Sequence, residues 1–572
     1  MFPLKYFLFI ILLSSNLDHL PKDNAVFIPP VKIPVFLSSN FGELRADHFH
    51  SGIDIKTGGV TGKEVVSVAD GYIYRIGVSP TGFGKALYVK HSSGYSSVYA
   101  HLDSFTQEVE TYVKQKQYEN KSFTITLFPS KELFPVKKGD IIALSGNSGS
   151  SGGPHLHFEI RETDNELPVN PLLYKIGVYD NIPPVIEKLA IYPIGNTLIN
   201  NNRADVKINI PRSNGKYLLP AGNEITISGK AGFGLKIHDL LNGSSNKCAA
   251  YSIKLEIDST TVFEYVMDGF SFDESRFVNS HMDYKTYMLN SQKIQKAYKL
   301  PNDKLSVYKN LLNNGVFSFN DGKIHNILFT VKDVNNNTSK LEFKVKALSG
   351  SNPSYSPNKD GSLRMMPYNR QNSYVADGVS VNVPNGALYD TLYFEHKRKP
   401  ASPVMYSDLH SIHNNLTPLQ KPVSLSIKPN KIPTGKESKM MIVQLNKNLS
   451  KVPTNSIWNE GFLKAEVSSF GDFFVGIDTI APEIAPSGFT SESDLSAKKE
   501  LRIKIKDDFS GIAKYEPAID GKWALFEYDP KNEVLIYRFD QKYISKGITH
   551  SLSLKVSDNR DNVSQYSCTF KW

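Results

Sequence analysis

Short runs in which apolar and polar residues alternate recur along most of the chain, separated by glycine, proline, asparagine and serine. Examples are Gly71–Gly77, Leu501–Lys506 and Ser551–Val556. Successive side chains of a strand point to opposite faces, so this period of two predicts half-buried strands joined by turns. The pattern therefore predicts a mostly β protein.

One segment has a helical pattern instead. Between Ser104 and Tyr118 the apolar residues recur at helical spacing, and Ser104 with Gln107 fits a capping box. These apolar residues are Phe105, Val109, Tyr112 and Val113. We expect one helix here, inside a stretch that runs to Phe134 and is longer than a tight connection requires. Such an insertion is either a wall of a nearby site or a surface excursion.

Two later parts of the sequence repeat one another. Asp180–Ile186 matches Asp478–Ile484, and Val331–Thr338 resembles Val556–Val563. We interpret each pair as the opening and closing strands of one immunoglobulin-like β-sandwich. Between the repeats, Ser349–Pro357 has the glycine, proline and serine content of a linker, and it leads to a further β-rich unit.

A chain of 572 residues is too long for a single hydrophobic core. We expect a compact antiparallel β domain at residues 25–178. Three β-sandwich-like (Ig-like) units should follow it at residues 179–348, 349–477 and 478–572, and the middle one includes the linker.

The first 24 residues follow the plan of a secretory signal peptide. Lys5 precedes an apolar run from Tyr6 to Leu13, which is too short to span a bilayer, and a polar stretch begins at Ser14. The expected small-x-small cleavage site is missing, so an uncleaved anchor and a buried strand remain alternatives. We expect an exported protein of the periplasm, the cell envelope or the medium.

The net charge indicates the kind of partner, and the cysteine content indicates whether a disulfide is present. A formal net charge of +9 favours anionic polymers as partners. No basic cluster interleaved with aromatic residues stands out, so we expect a cell-wall or membrane surface rather than nucleic acid. Cys248 and Cys568 are far apart in the sequence, and we expect two buried free thiols, with a disulfide as the alternative.

Half of the 14 histidines lie in the first 160 residues, which places the candidate chemistry there. In the segment Pro154–Glu159, His155 and His157 would share one face of a strand. His50 and Asp54 would lie about 13 Å apart on a straight strand, too far to share an ion, so the chain must bend between them, and Gly52 permits a bend.

A third element, Ser97–Leu102, is a short strand that ends in His101 and carries Tyr99 on the same face. The order of the three elements, with much of their flanking sequence, resembles lysostaphin-like (LytM-type) zinc metallopeptidases over residues 36–174. Supporting matches are Phe49–Asp54, Ala69–Gly71, Val136–Asp140 and Asn170–Leu172.

This resemblance implies that His50, Asp54 and His157 bind zinc and that His101 and His155 are the catalytic histidines that are not ligands. A zinc-activated water would then hydrolyse a peptide bond. Arg45 matches a basic position of the family. We expect it to contact either substrate or a ligand, with an ordinary surface salt bridge as the alternative. Tyr99 is a second candidate for substrate binding. His48 offers a rival pair with His50, which would shift the ligand set by two residues.

The resemblance also implies a function: an endopeptidase that hydrolyses peptide cross-links of bacterial peptidoglycan, with stem peptides or cross-bridges as partners. We favour the direct D-alanyl to meso-diaminopimelate cross-link over a glycine-rich bridge. One alternative is a non-enzymatic activator of other cell-wall hydrolases, because some relatives that have lost ligands have this role. Another is a general extracellular metalloprotease. The C-terminal β units would bind cell wall or a protein partner.

Overall fold

The computed structural model describes residues 26–350, 352 and 363–572. The expected signal peptide lies outside the described residues, as does most of the expected linker. The structure is 47% strand and 8% helix, which confirms the prediction of a mostly β fold. Within the described ranges, every helix is too short or too polar to span a membrane.

The first β region contains one sheet whose central order is β1-β2-β10-β6-β5-β4-β7, and its four other strands pair with β10, β4 and β6 or with one another. Its strands are antiparallel, as predicted. The strands are β1 Leu37–Ser39, β2 Ile53–Lys56, β3 Glu64–Val66, β4 Gly71–Val78, β5 Lys85–His91, β6 Tyr95–Phe105, β7 Ile125–Leu127, β8 Pro135–Val136, β9 Ile141–Ser145, β10 His155–Glu162 and β11 Pro168–Val169.

The predicted helix is present as α1, Gln107–Asn120, but its start differs from the prediction. Thr106 is the N-cap and its side chain makes no capping hydrogen bond. Instead, Glu110 reaches back and its Oε1 accepts a hydrogen bond from the amide of Phe105 at 2.9 Å. The capping box at Ser104 is therefore wrong, because β6 continues through Ser104 to Phe105.

The second β region hydrogen-bonds its strands into one connected network, built around two 15-residue strands, β12 and β16. Two short helices, α2 Val278–His281 and α3 Tyr284–Asn290, interrupt it. The strands are β12 Val185–Ile199, β13 Val206–Asn209, β14 Arg212–Ser213, β15 Lys216–Tyr217, β16 Thr226–Leu240, β17 Lys247–Cys248, β18 Ser252–Ile257, β19 Thr260–Val266, β20 Gln295–Lys296, β21 Tyr308–Leu311, β22 Phe317–Phe319, β23 Ile324–Lys332 and β24 Thr338–Ala347.

The third β region has two five-stranded sheets that share one apolar core, together with the small pair β25-β28. The strands are β25 Arg364–Met366, β26 Asn372–Ala376, β27 Val379–Val383, β28 Leu392–Phe394, β29 His396–Lys399, β30 Leu409–Ile412, β31 Val423–Ile427, β32 Met440–Leu445, β33 Lys451–Pro453, β34 Ile457–Asn459, β35 Phe462–Val467 and β36 Gly471–Ile477.

The fourth β region also has two sheets around one core, in the orders β37-β39-β43-β42 and β38-β45-β44-β40-β41. The strands are β37 Glu483–Ser487, β38 Ser493–Asp494, β39 Glu500–Lys506, β40 Ile512–Ile519, β41 Lys522–Trp523, β42 Phe526–Asp529, β43 Val534–Arg538, β44 Thr549–Asp558 and β45 Val563–Lys571. The repeated segments at 331–338 and 556–563 are hairpin turns between two strands rather than single closing strands.

The first two β regions exchange side chains across their boundary. Phe41 and Phe49 of the first region lie in the core of the second, whereas Leu241 and Cys248 of the second lie in the core of the first. Cys248 and Cys568 are both buried free thiols, as predicted. Cutting the chain between these regions would expose large apolar side chains on both pieces.

The fourth region returns to the first and packs on α1. The rings of Tyr118 and Tyr543 stack with centroids 3.5 Å apart, and Lys114 forms an ion pair with Asp540 at 2.5 Å. Lys531 Nζ donates to the carbonyl oxygen of Asn147 at 2.5 Å. The insertion that carries α1 is therefore covered by the last β region.

Candidate metal centre and active site

Strand pairing brings the candidate ligands together. In the antiparallel pair β2–β10, Asp54 lies directly opposite His157, so both side chains project from the same face of the sheet. Leu156 and Phe158 point to the opposite face and are fully buried in the first core. The predicted alternation along Pro154–Glu159 is therefore present.

The predicted bend between His50 and Asp54 is also present. Nε2 of His50 lies 3.1 Å from Oδ1 of Asp54. A Cβ atom on Gly52 would lie 2.4 Å from the carbonyl oxygen of Phe158 and 3.0 Å from Cε1 of His157. Glycine is thus required here because the backbone passes close to β10.

Three ligand atoms form a nearly equilateral triangle. His50 Nε2 and His157 Nδ1 are 3.1 Å apart, and Asp54 Oδ1 lies 2.9 Å from His157 Nδ1 and 3.1 Å from His50 Nε2. Tetrahedral zinc with bonds of 2.0–2.1 Å would separate its ligands by about 3.3 Å. Two imidazoles and one carboxylate at this spacing fit zinc, and all three residues are largely buried.

Buried partners orient both ligand imidazoles. Nε2 of His157 lies 2.9 Å from Oε1 of Glu159, and Nδ1 of His50 lies 2.8 Å from the carbonyl oxygen of Asn40. Each imidazole donates its ring N–H to this acceptor and directs its other nitrogen toward the triangle. The sequence analysis assigned no role to Glu159, although this residue ends the segment Pro154–Glu159 that carries both histidines.

Glu159 is fully buried and ionised. Burial favours its neutral form, but the ion pair with Arg161, at 2.6 Å, together with hydrogen bonds from His157 and Ser51, lowers its pKa to about 2. Burial likewise disfavours a charge on His157, yet Asp54 and Glu159 raise its pKa to about 9. A proton and a divalent cation would therefore compete for Nδ1 of His157.

The backbone of β6 places His101 in the site. Tyr99 lies opposite Phe158 and Ala100 opposite His157, so regular alternation would direct His101 to the core face. His101 instead has a φ of 58°, and the pairing of β5 with β6 shifts register at this point. This bulge turns His101 to the face that carries His157.

The two remaining imidazoles lie beside the triangle. His101 and His155 have ring centroids 4.9 Å apart, and Nε2 of His155 lies 3.5 Å from Oδ1 of Asp54. Their Nδ1 atoms lie 2.9 and 2.8 Å from the carbonyl oxygens of Ser148 and Gly153, which places each ring proton on Nδ1 and leaves a lone pair on each Nε2. Burial and the neighbouring His157 and His155 lower the pKa of His101 to about 4, so it is neutral at neutral pH.

Two glycine-containing loops support the backbone carbonyl groups that accept hydrogen bonds from His101 and His155. A Cβ atom on Gly149 would lie 2.3 Å from the amide nitrogen of Gly84, so the two backbones touch where both residues have positive φ. The amide of Ser150 donates to the carbonyl oxygen of Gly82 at 2.8 Å. The approach to β10 is therefore a rigid support for the carbonyl oxygens at residues 148 and 153.

The structure corrects the prediction for Tyr99. Its side chain is fully buried against Phe158, and its hydroxyl accepts hydrogen bonds from the amide of Val68 and from Ser97, both at 3.0 Å. Tyr99 cannot reach a substrate in the groove and is a core residue. The prediction was wrong because the bulge at His101 separates the two residues onto opposite faces.

Arg45 and His48 lie at the rim. Nη2 of Arg45 is 3.4 Å from Oδ2 of Asp54, so Arg45 contacts a candidate ligand and remains partly exposed. The His48 ring is exposed, pairs with Asp47 at 2.8 Å and lies outside the triangle. Together with the triangle and both further imidazoles, these residues line an open groove of about 850 Å3.

Comparison with known proteins agrees with this geometry. Residues 48–118 and 130–171 match the family model of peptidase family M23, and residues 363–478 match that of a Zu5-like domain. An uncharacterized metalloprotease of Haemophilus influenzae is 34% identical over 127 residues, which are 22% of this chain and 21% of that protein.

Two further relatives have described roles. The DD-carboxypeptidase/endopeptidase Mpg of Neisseria meningitidis serogroup B is 32% identical over 141 residues, 24% of this chain and 26% of Mpg. The murein hydrolase activator NlpD of Salmonella dublin is 34% identical over 135 residues, 24% of this chain and 28% of NlpD. The matched segment spans about a quarter of each relative's length. Residues 48–171 of this chain thus form a domain of peptidase family M23, the lysostaphin-like family, and β-rich regions follow it.

Proposed function

We infer that the protein is an exported zinc-dependent endopeptidase that hydrolyses peptide cross-links of bacterial peptidoglycan. The observation that carries this inference is the triangle of His50, Asp54 and His157, with the imidazoles of His101 and His155 beside it. An ion-binding triangle alone would fit a structural metal site. Two further imidazoles whose Nε2 atoms carry a lone pair are what proton transfer requires.

The five site residues then have two kinds of role, metal binding and proton transfer. A zinc ion held by His50, Asp54 and His157 would activate a water molecule and polarise the carbonyl group of the scissile bond. Of His101 and His155, one accepts the proton of the water at Nε2 and delivers it to the leaving amine. The other donates a hydrogen bond to the oxyanion that develops. Their Nδ1 contacts with backbone carbonyl oxygens hold both rings in the required tautomer.

A second candidate function is activation of another cell-wall hydrolase, which is the described role of the NlpD relative. The complete set of five residues favours the enzyme, because an activator has no need for oriented imidazoles beside a metal site. For the substrate we favour the direct D-alanyl to meso-diaminopimelate cross-link. The groove of about 850 Å3 has room for an extended peptide segment.

The test is digestion of purified directly cross-linked and glycine-bridged peptidoglycan by the full chain, with mass spectrometry of the fragments. We expect new amino termini at direct cross-links without any added hydrolase. Fragments that appear only when a second hydrolase is present would overturn the proposed endopeptidase activity in favour of the activator function. Fragments from a protein substrate alone would favour a general metalloprotease.

Variants separate metal binding from proton transfer. His157→Ala should lose zinc and activity together, and Asp54→Ala should behave in the same way. His155→Ala should keep about one zinc and lose about 100- to 10,000-fold in turnover. His48→Ala is the matched control for metal binding, because this exposed ring lies in the same segment and outside the triangle, and it should leave the zinc content unchanged. Zinc retained by His157→Ala and lost by His155→Ala would reverse the ligand assignment.

A further inference from the structure

A second group of acidic side chains lies where the first β region meets the second. One oxygen each of Asp180, Asp239 and Asp333 lies within 4.8 Å of the others. Asp180 precedes β12, Asp239 lies in β16 and Asp333 follows β23, so only the tertiary structure brings them together. Their exposures are 6%, 2% and 4%, which makes this a buried cluster of three acidic groups.

Two oxygens of this cluster lack partners. Oδ2 of Asp180 and Oδ1 of Asp239 are buried, and neither accepts a hydrogen bond from an N–H or hydroxyl group of the described residues; the Asp180 carboxyl has only the neighbouring Asp333 carboxyl within reach. Buried polar atoms are almost always paired, and three close carboxylates repel one another when ionised. Burial, with Asp180 and Asp333 nearby, raises the pKa of Asp239 to about 8. The protein alone therefore leaves this cluster unfavourable at neutral pH.

The cluster adjoins a small cavity of about 20 Å3, which is space for one water-sized particle. Tyr251 and Asn335 also line it. The M23 domain contributes Asn170, so the cavity lies between two β regions. Lys175 belongs to the same lining, but its side chain is exposed to solvent.

Hydrogen bonds hold the carboxylate of Asp333 in place and leave some of its lone pairs unused. Asp333 accepts from the amide of Asn337 at 2.9 Å on Oδ1 and from Nδ2 of Asn337 at 2.6 Å on Oδ2. Nδ2 of Asn337 also donates to the carbonyl oxygen of Asp180 at 3.3 Å. Each carboxylate oxygen has a second lone pair that stays available to a cation.

The sequence repeat builds the same scaffold a second time. Asp558 accepts from the amide and Nδ2 of Asn562 at 2.9 and 2.7 Å, and this Nδ2 donates to the carbonyl oxygen of Asp478 at 3.2 Å. In that second cluster Asp507 is only half-buried, and its Oδ1 accepts two backbone amides. The unpartnered buried oxygens belong to the first cluster, so the inference concerns that cluster.

We propose that Asp180, Asp239 and Asp333 bind a calcium ion that joins the M23 domain to the β region that follows it. Calcium takes six to eight oxygen ligands, and this cluster offers only carboxylate oxygens, which lie close together in a buried position. Magnesium needs bonds of about 2.0–2.1 Å and retains several waters, for which a cavity of this size has no room. The absence of nitrogen and sulfur ligands in this group disfavours zinc.

The first measurement is calcium binding by the full chain. The protein is freed of calcium on a chelating resin, supplied with one equivalent of zinc to fill the histidine site, and dialysed against calcium chloride. Asp239→Asn should lose one equivalent of bound calcium relative to wild type. The matched control is Asp508→Asn, an exposed carboxylate, which should lose none. Equal binding by wild type and Asp239→Asn would overturn the proposal, as would loss in Asp507→Asn alone.

The second measurement is the melting temperature with and without calcium. Without calcium, Asp239→Asn removes the cost of burying this carboxyl group beside Asp180 and Asp333 and should melt above wild type. With calcium, wild type should melt above the variant, because only wild type keeps the full ligand set. A variant that melts higher in both conditions would show a cluster that binds no cation. Asp180→Asn repeats both measurements if Asp239→Asn does not fold.

Discussion

Glu159→Gln is the substitution that most directly tests how the candidate zinc site is supported. Oε1 of Glu159 accepts from His157 and from Ser51, and Oε2 accepts from Arg161. Glutamine has one acceptor oxygen and one donor group in the same space. If its oxygen faces His157, its NH2 group opposes the guanidinium of Arg161. If its NH2 group faces His157, that ring must carry its proton on Nδ1, the atom that would bind zinc.

The magnitude follows from the burial of this pair. The pKa of Glu159 falls from an ordinary value of 4.5 to about 2, against the effect of burial, mainly through Arg161. At 1.36 kcal/mol for each pKa unit this corresponds to about 3 kcal/mol of stability. A carboxylate whose pKa is lowered in the folded state contributes this stability above pH 4.5, and the contribution is lost as the pH falls toward 2. Loss of a partner that orients a metal ligand also weakens metal binding by about 10- to 100-fold.

The assay combines two readouts. Competition with a coloured chelator gives the zinc dissociation constant, and hydrogen exchange of the β10 amides gives the local free energy of opening. We expect zinc binding to weaken by about 10- to 100-fold and exchange to accelerate by roughly 100-fold.

Glu166→Gln is the matched control. Glu166 also contacts Arg161, with Oε2 3.3 Å from Nη1, but its side chain is 42% exposed. An exposed ion pair contributes about 0–1 kcal/mol, so this variant should bind zinc as wild type does. If Glu159→Gln and Glu166→Gln gave the same zinc affinity and the same exchange rates, our account of the buried acceptor would be refuted.

Three further predictions concern other features of the chain. Because the pKa of His101 is about 4, activity that needs neutral His101 should be present above pH 4 and fall below it; a decline centred near 6.5 in a kcat/KM profile of zinc-loaded enzyme would contradict this. Tyr99→Phe should destabilise the domain by about 1–3 kcal/mol in hydrogen exchange, because two buried donors lose their acceptor, and an altered KM would restore a substrate role for this residue. Tyr543→Ala should accelerate exchange of the α1 amides by up to about tenfold through loss of stacking on Tyr118 and leave zinc content unchanged; unchanged exchange would show that the stacking adds no stability.

Local sequence determined the strands and most of the candidate site. Alternation predicted the β fold, and the same alternation placed His155 and His157 on one face of β10. The distance argument for His50 and Asp54 required a bend, and the structure has one. These inferences succeeded because each depends on residues a few positions apart, whose geometry the strand period controls.

Tertiary structure decided what depends on pairing and burial. Register places Asp54 opposite His157, and the positive φ of His101 moves that ring to the site and leaves Tyr99 in the core. The role of Glu159 rests on burial beside Arg161, and alternation alone does not reveal burial.

Long-range contacts decided the remaining features. The covering of α1 by the last β region joins residues about 425 positions apart, such as Tyr118 and Tyr543. The cluster of Asp180, Asp239 and Asp333 draws one carboxylate from each of three distant segments. Two of these carboxylates lie in the sequence repeat, but Asp239 lies outside it, so the repeat alone did not predict the cluster. Side chains that meet only after the sheets have packed leave no periodic pattern along the chain, and for that reason the sequence by itself determined the strands and the histidine motif but not these contacts.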